Sequence, residues 1–414
     1  MSIGQGRFVA EREAEQPERR VPSFSRDRLT WVGYVMLAWF AYVQAAPGLV
    51  IVHLRDELHQ NYSTGGLYVG AFAAGTLVAG LLSARLERRV GRGSLLWSSA
   101  ALMGAGAIGL TAGRTSATTV GSVLVTGIGG GLLLATIQAT LSDHHGGRRA
   151  VALAEANVAA SIAYLVLIGV LSLTAALHAG WRIALLASLV IPAVMWSSNR
   201  RLAIDAPPPS GAARGRLPAV FWIAAAMLFC TTAAEWCVNG WGATFVEETT
   251  RVSTDTAVTL MAGYFGGVLA GRTLTSRLAR RHDPAKLLAL ALAVSAVGLA
   301  ILWPSTRPTQ ALVGLSLLGI GLGTLFPMGM AVTIALAPGQ AALASGRAVA
   351  ASAFAILLAP LTVGAVADAT SIRSALGIVP VVLVLAAGGL TIVSRARRRA
   401  GDAPQAAVAP SGSR

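Results

Sequence analysis

Charge is what this sequence has least of. Only 12% of its 414 residues are Asp, Glu, Lys or Arg, and 54% are hydrophobic. A soluble domain carries about 25% charged residues, so a water-exposed globule is excluded. Lysine is nearly missing: Lys286 stands alone among the basic residues, the rest being arginine. We read that bias as GC-rich bacterial codon usage. There are two cysteines, Cys230 and Cys237, seven residues apart in one expected helix. That spacing is about 10 Å along a helix axis, too far for a disulfide, and no metal-ligand spacing appears. The first 28 residues lack the apolar core and cleavage site of a signal peptide. Gly127-Ile128-Gly129-Gly130-Gly131 sits inside an apolar run with no strand before it, which argues against a nucleotide loop. No cofactor is therefore expected. Within the apolar runs no nucleophile–base or metal constellation appears, which argues against an enzyme. The net charge of +15 comes from short basic clusters rather than one basic face, so nucleic acid is not the expected partner.

What the chain does have is membrane-spanning length, repeatedly. Twelve apolar segments run at about 30–54, 64–84, 94–113, 118–141, 151–177, 181–198, 218–246, 256–276, 287–303, 309–337, 346–368 and 374–394. They are continuous rather than alternating, which predicts an all-α integral membrane protein of 12 transmembrane helices, with the lipid bilayer as partner. Basic residues fall 26 to 6 between alternate loops, with Arg272 inside a span. By the positive-inside rule both termini are cytoplasmic in a bacterial inner membrane. Residues 1–28 read as a disordered cytoplasmic tail, 29–198 as one six-helix half, 199–217 as a Pro-rich linker, 218–394 as the second half and 395–414 as a basic tail.

The two halves repeat. Arg85-Leu86-x-Arg88-Arg89 returns 192 residues later as Arg277-Leu278-x-Arg280-Arg281. The same offset carries Gly75 to Gly267, Gly127 to Gly319 and Gly131 to Gly323, while Val158–Ser161 returns at 191 as Val349–Ser352. A near-constant offset over separate stretches is an internal duplication. Two parallel six-helix halves resemble the major facilitator superfamily over 30–394. The loop between helices 2 and 3 is similar to that family's signature at Gly80, Leu82, Arg85, Arg88 and Arg89, but Ala84 and Glu87 stand where the family has Asp and Gly. The family's Asp helps shut the inner gate, so the resemblance leaves that latch unfilled here.

Only Glu155, Glu235 and Arg272 place charge within the span cores. A charge at mid-bilayer costs about 2.5–3.5 kcal/mol on insertion scales, which marks each as a functional candidate. Glu235, in helix 7, is the proton-coupling candidate, against a purely structural ion pair. The resemblance places helices 5 and 8 side by side, so Glu155 and Arg272 are expected to form an inner gate that closes when the carrier faces outward and breaks in the other state, with Arg347 and Glu87 as a second pair. Helices 1, 4, 7 and 10 line the cavity in that family, which nominates Trp39, Tyr42, Gln44, Gln138, Trp236, Asn239, Met328 and Met330. The expected activity is secondary transport of a small organic molecule by a monomer, most simply export of an amphipathic compound against protons. Import of a sugar, amino acid or organic anion is the first alternative, and a non-transporting membrane sensor the second.

Overall fold

The computed structural model describes residues 25–204, 216–279, 281–337 and 340–402. Most of the expected linker and the bulk of both expected tails lie outside the described residues. In chain order the helices are α1 Arg28–Leu58, α2 Tyr62–Val90, α3 Arg92–Ala112, α4 Ser116–His145, α5 Arg149–Ala176 and α6, in two pieces, Trp181–Ser188 and Val190–Asn199. The second set is α7 Ala219–Thr250, α8 Thr254–Leu278, α9 Pro284–Leu302, α10 Pro308–Ile334, α11 Ala341–Ala369 and α12, again in two pieces, Ile372–Ala375 and Ile378–Asp402. Among the described residues there is no strand. Eleven of these helices are long and apolar enough to cross a membrane. The exception, α8, has 25 residues but carries Asp255, Arg272 and Arg277.

Local chemistry sets the boundaries. Asp27 accepts the Thr30 N–H at 3.0 Å, Asn61 the Thr64 N–H at 2.9 Å and Asp283 the Ala285 N–H at 2.7 Å, each satisfying an otherwise unpaired donor at a helix start. Pro192 and Pro380 offer no N–H to the residue four back, and the α6 and α12 breaks fall at or just after those residues, Ser188 and Leu376. Two expected limits are corrected. Residues 25–28 belong to the fold, not to a tail, and α12 continues through the basic run past 394.

The duplication is visible in space. Pairings of α1 with α5, α2 with α4 and α3 with α4 recur as α7 with α11, α8 with α10 and α9 with α10. A Cβ on Gly75 would strike the backbone of Leu124 and Ile128; one on Gly267 would strike Ser316 and Ile320, the same positions 192 residues on. Only glycine lets those backbones touch.

The halves meet chiefly where α2 packs on α11 and α5 on α8. Both described ends of the chain lie on one side, here the terminal side, opposite the far side. At the far end of the α2–α11 seam, Gly66 and Gly70 back onto Pro360 and Leu361. About four turns away on the same faces, Gly80 and Gly346 meet nothing within 4 Å. The halves are closed on the far side and splayed on the terminal side.

Candidate functional site

Midway along the spans, polar groups from both halves converge. The Arg272 guanidinium (α8) lies 3.4 Å from a Glu235 carboxylate oxygen (α7) and donates to the Ser161 hydroxyl (α5) at 3.2 Å. One cation therefore touches a carboxylate in its own half and a hydroxyl in the other. Three residues further along α5, on the same face, the Tyr164 hydroxyl donates to Gln44 Oε1 (α1) at 3.2 Å. The Tyr164 ring packs on Phe265 with centroids 5.1 Å apart, and Phe265 on Tyr264, whose hydroxyl donates to the Glu235 carbonyl. Phe265 and Arg272 are seven residues apart, two turns, and so share one face of α8. The Arg272 side chain is 29% exposed and that of Glu235 13%, so water reaches the cation more readily than its partner.

The expected Glu155–Arg272 pair is not formed. Glu155 is instead gripped by Arg26, whose Nε and Nη2 donate to the two carboxylate oxygens at 2.8 and 2.7 Å, and by the Tyr34 hydroxyl at 3.0 Å. The reason is axial register. Arg272 is level with Ser161, and Glu155 lies six residues, about 9 Å, nearer the terminal side. The second expected gate pair, Arg347 with Glu87, is likewise not formed in this state, which is open on the terminal side. Glu87 accepts from Arg92 Nε at 2.8 Å, and Arg92 reaches Asp143 of α4 at 2.7 Å, while Arg347 is exposed on α11. The turn between α2 and α3 is made at Gly91, with φ of +81°. That turn folds Arg92 back into the bundle, leaving Arg85, Arg88 and Arg89 exposed.

Two expected cavity residues point elsewhere. The Trp39 indole donates to the Ser188 hydroxyl at 3.3 Å and the Tyr42 hydroxyl to the Ala184 carbonyl at 2.9 Å, both on α6, and both side chains are buried within the first half. Gln44 does reach the mid-span centre. Asn239 sits where α1 crosses α7, its backbone against Gly48. Trp236 and Met330 are half-buried, Met328 is buried, and Gln138 is exposed on α4. The sequence reading missed Ser161, Tyr164 and Phe265. Ser161 closes the repeated stretch Val158–Ser161, a signal that gave no partner.

Helices of membrane-spanning length, duplicated and splayed on one side around a polar centre fed by both halves, define a membrane transporter. The sequence matches the Major Facilitator Superfamily over residues 30–248 and 224–412, and the chain belongs to that superfamily. It is a multi-pass transporter of small molecules and not an enzyme. Among solved structures it is similar to a bacterial homologue of the human lysosomal transporter Spinster in an inward-facing, occupied conformation, with TM-score 0.71, 12% identity, and coverage of 89% of this chain and 97% of that one. An inward-facing, unoccupied Spinster homologue gives TM-score 0.68 at 14% identity, covering 90% and 98%. The nucleoside transporter NupG gives 0.68 at 12%, covering 89% and 98%. At such identities the likeness is one of fold. No curated protein matches the sequence.

Proposed function

We propose that the chain is a monomeric secondary active transporter that exports a small amphipathic molecule in exchange for protons, with Glu235 as the coupling group. In this reading 29–198 and 218–394 rock about the mid-span centre, and the terminal side is the cytoplasm of a bacterial inner membrane, as the 26-to-6 distribution of basic residues favours. The supporting observation is the tether itself: Glu235 is held by Arg272, and Arg272 also reaches Ser161 across the interface. A proton on Glu235 cancels its attraction for Arg272, so protonation changes a contact between halves. That is the element a coupled carrier needs. Trp236, Asn239, Gln138 and Met330 supply the apolar and weakly polar wall of the binding space.

One observation favours the alternative of anion import. Arg272 reaches the centre from α8 and offers N–H donors that Glu235 and Ser161 do not fill.

Purified protein in liposomes with an internal pH-sensitive dye tests the coupling, with ethidium and related amphipathic cations added under a proton gradient. Compound-dependent proton movement that disappears in Glu235→Gln is expected. Compound transport without proton movement, unchanged by the substitution, would sink proton exchange.

A further inference from the structure

An acidic residue near a helix C-terminus is badly placed, because the macrodipole leaves negative partial charge there. Asp368 is the second-last residue of α11. Its surroundings explain the placement. Opposite it, in the other half, α2 begins with N–H groups that have no partner within their own helix. Asn61 serves Thr64. The Tyr62 and Ser63 N–H groups donate instead to the two Asp368 carboxylate oxygens, each at 2.8 Å, and the Ser63 hydroxyl donates to one of them as well. A carboxylate that its own helix disfavours thus caps a helix more than 300 positions away in sequence. Hydrogen bonds to an ionised acceptor are the stronger kind, and three of them offset the unfavourable position of Asp368 in its own helix.

The seam behind this cap is tight. Gly364 backs onto the Tyr62 carbonyl, and Gly66 and Gly70 back onto Pro360 and Leu361. Tyr62 carries a second tether: its hydroxyl donates to Glu248 of α7 at 2.5 Å, and the Arg55 guanidinium lies 3.7 Å over its ring and 3.8 Å from Glu248. His53 of α1 meets Asp255 of α8 at 3.0 Å. On the terminal side the same two helices have Ala84 and Gly346, and the α2 carboxylate there, Glu87, is held by Arg92 rather than by α11.

We propose that Asp368 and the first turn of α2 form the far-side latch of the transport cycle, and that this latch sets the bias toward the state open on the terminal side. The groups stand at the water edge, so rupture exchanges each bond for one to water rather than stranding charge in lipid. The contact is reversible for that reason, and it must part, with the Tyr62–Glu248, Arg55–Glu248 and His53–Asp255 contacts beside it, before the far side opens. The proposal rests on alternating access but not on the substrate or the coupled ion.

The test therefore needs neither. In full-length protein with Cys230 and Cys237 replaced by serine, Val69→Cys reports the far-side seam and Gly346→Cys the terminal side, by maleimide alkylation rate in detergent. Asp368→Ala should raise the rate at position 69 by about tenfold, the loss of about one charge-assisted bond's net contribution, and lower it at position 346. Asp368→Asn, which keeps one acceptor, should give an intermediate shift in both. Unfolding would raise both rates together. Unchanged rates, or a rise at 69 without a fall at 346, overturn the latch.

Discussion

Arg272→Gln should damage this protein more than Arg272→Gln combined with Glu235→Gln. At 3.4 Å, two unit charges attract by about 1 kcal/mol in water and about 5 kcal/mol at an effective dielectric near 20. Exposures of 29% and 13% put the pair between those limits. The desolvation of both ions offsets much of that attraction, so the intact pair is worth little net. Breaking it is another matter. Among the described residues Arg272 is the hydrogen-bond partner of the Glu235 carboxylate. Removing the guanidinium leaves a mostly enclosed anion alone, at a cost of about 3 kcal/mol. Glu235→Gln leaves Arg272 with Ser161 and the water that already reaches it, at about 1 kcal/mol. The double substitution should resemble Glu235→Gln, so the second change rescues the first. The assay is the half-life of monodisperse protein at a fixed elevated temperature, since unfolding in detergent is a rate rather than an equilibrium. Additive losses, or a double variant no better than Arg272→Gln, would refute the idea that a stranded carboxylate is what hurts.

Four further outcomes follow from the packing and the hydrogen bonds. Gly75→Val and Gly267→Val drive a side chain into neighbouring backbone and should each cost about 3 kcal/mol or more, read as loss of folded protein on size exclusion. Gly80→Val meets open space in this state, so it should fold normally yet slow transport if that seam closes during the cycle. Trp39→Phe loses one bond to Ser188, about 1 kcal/mol of stability, and should leave substrate KM unchanged. Tyr164→Phe, which frees Gln44 at the mid-span centre, should move KM with little loss of stability.

The sequence by itself determined the spans, their number, the duplication and the close-packing glycines, because each is written in one dimension. Length and hydropathy select a span whatever its neighbours do. A glycine kept at a fixed offset marks the same backbone crossing in both halves, as Gly75 and Gly267 show. Partner choice was not written that way. Glu155 and Arg272 lie on adjacent helices, but helix period carries no information about the axial slide of one helix past another. A slide of six residues gave Glu155 to Arg26 and Arg272 to Glu235. Trp39 and Tyr42 share a face of α1, yet α1 is buried nearly all round, so no apolar stripe tells which face meets α6 and which the centre. Asp368 breaks a local rule, and only the tertiary structure supplies the helix start that makes its charge favourable there.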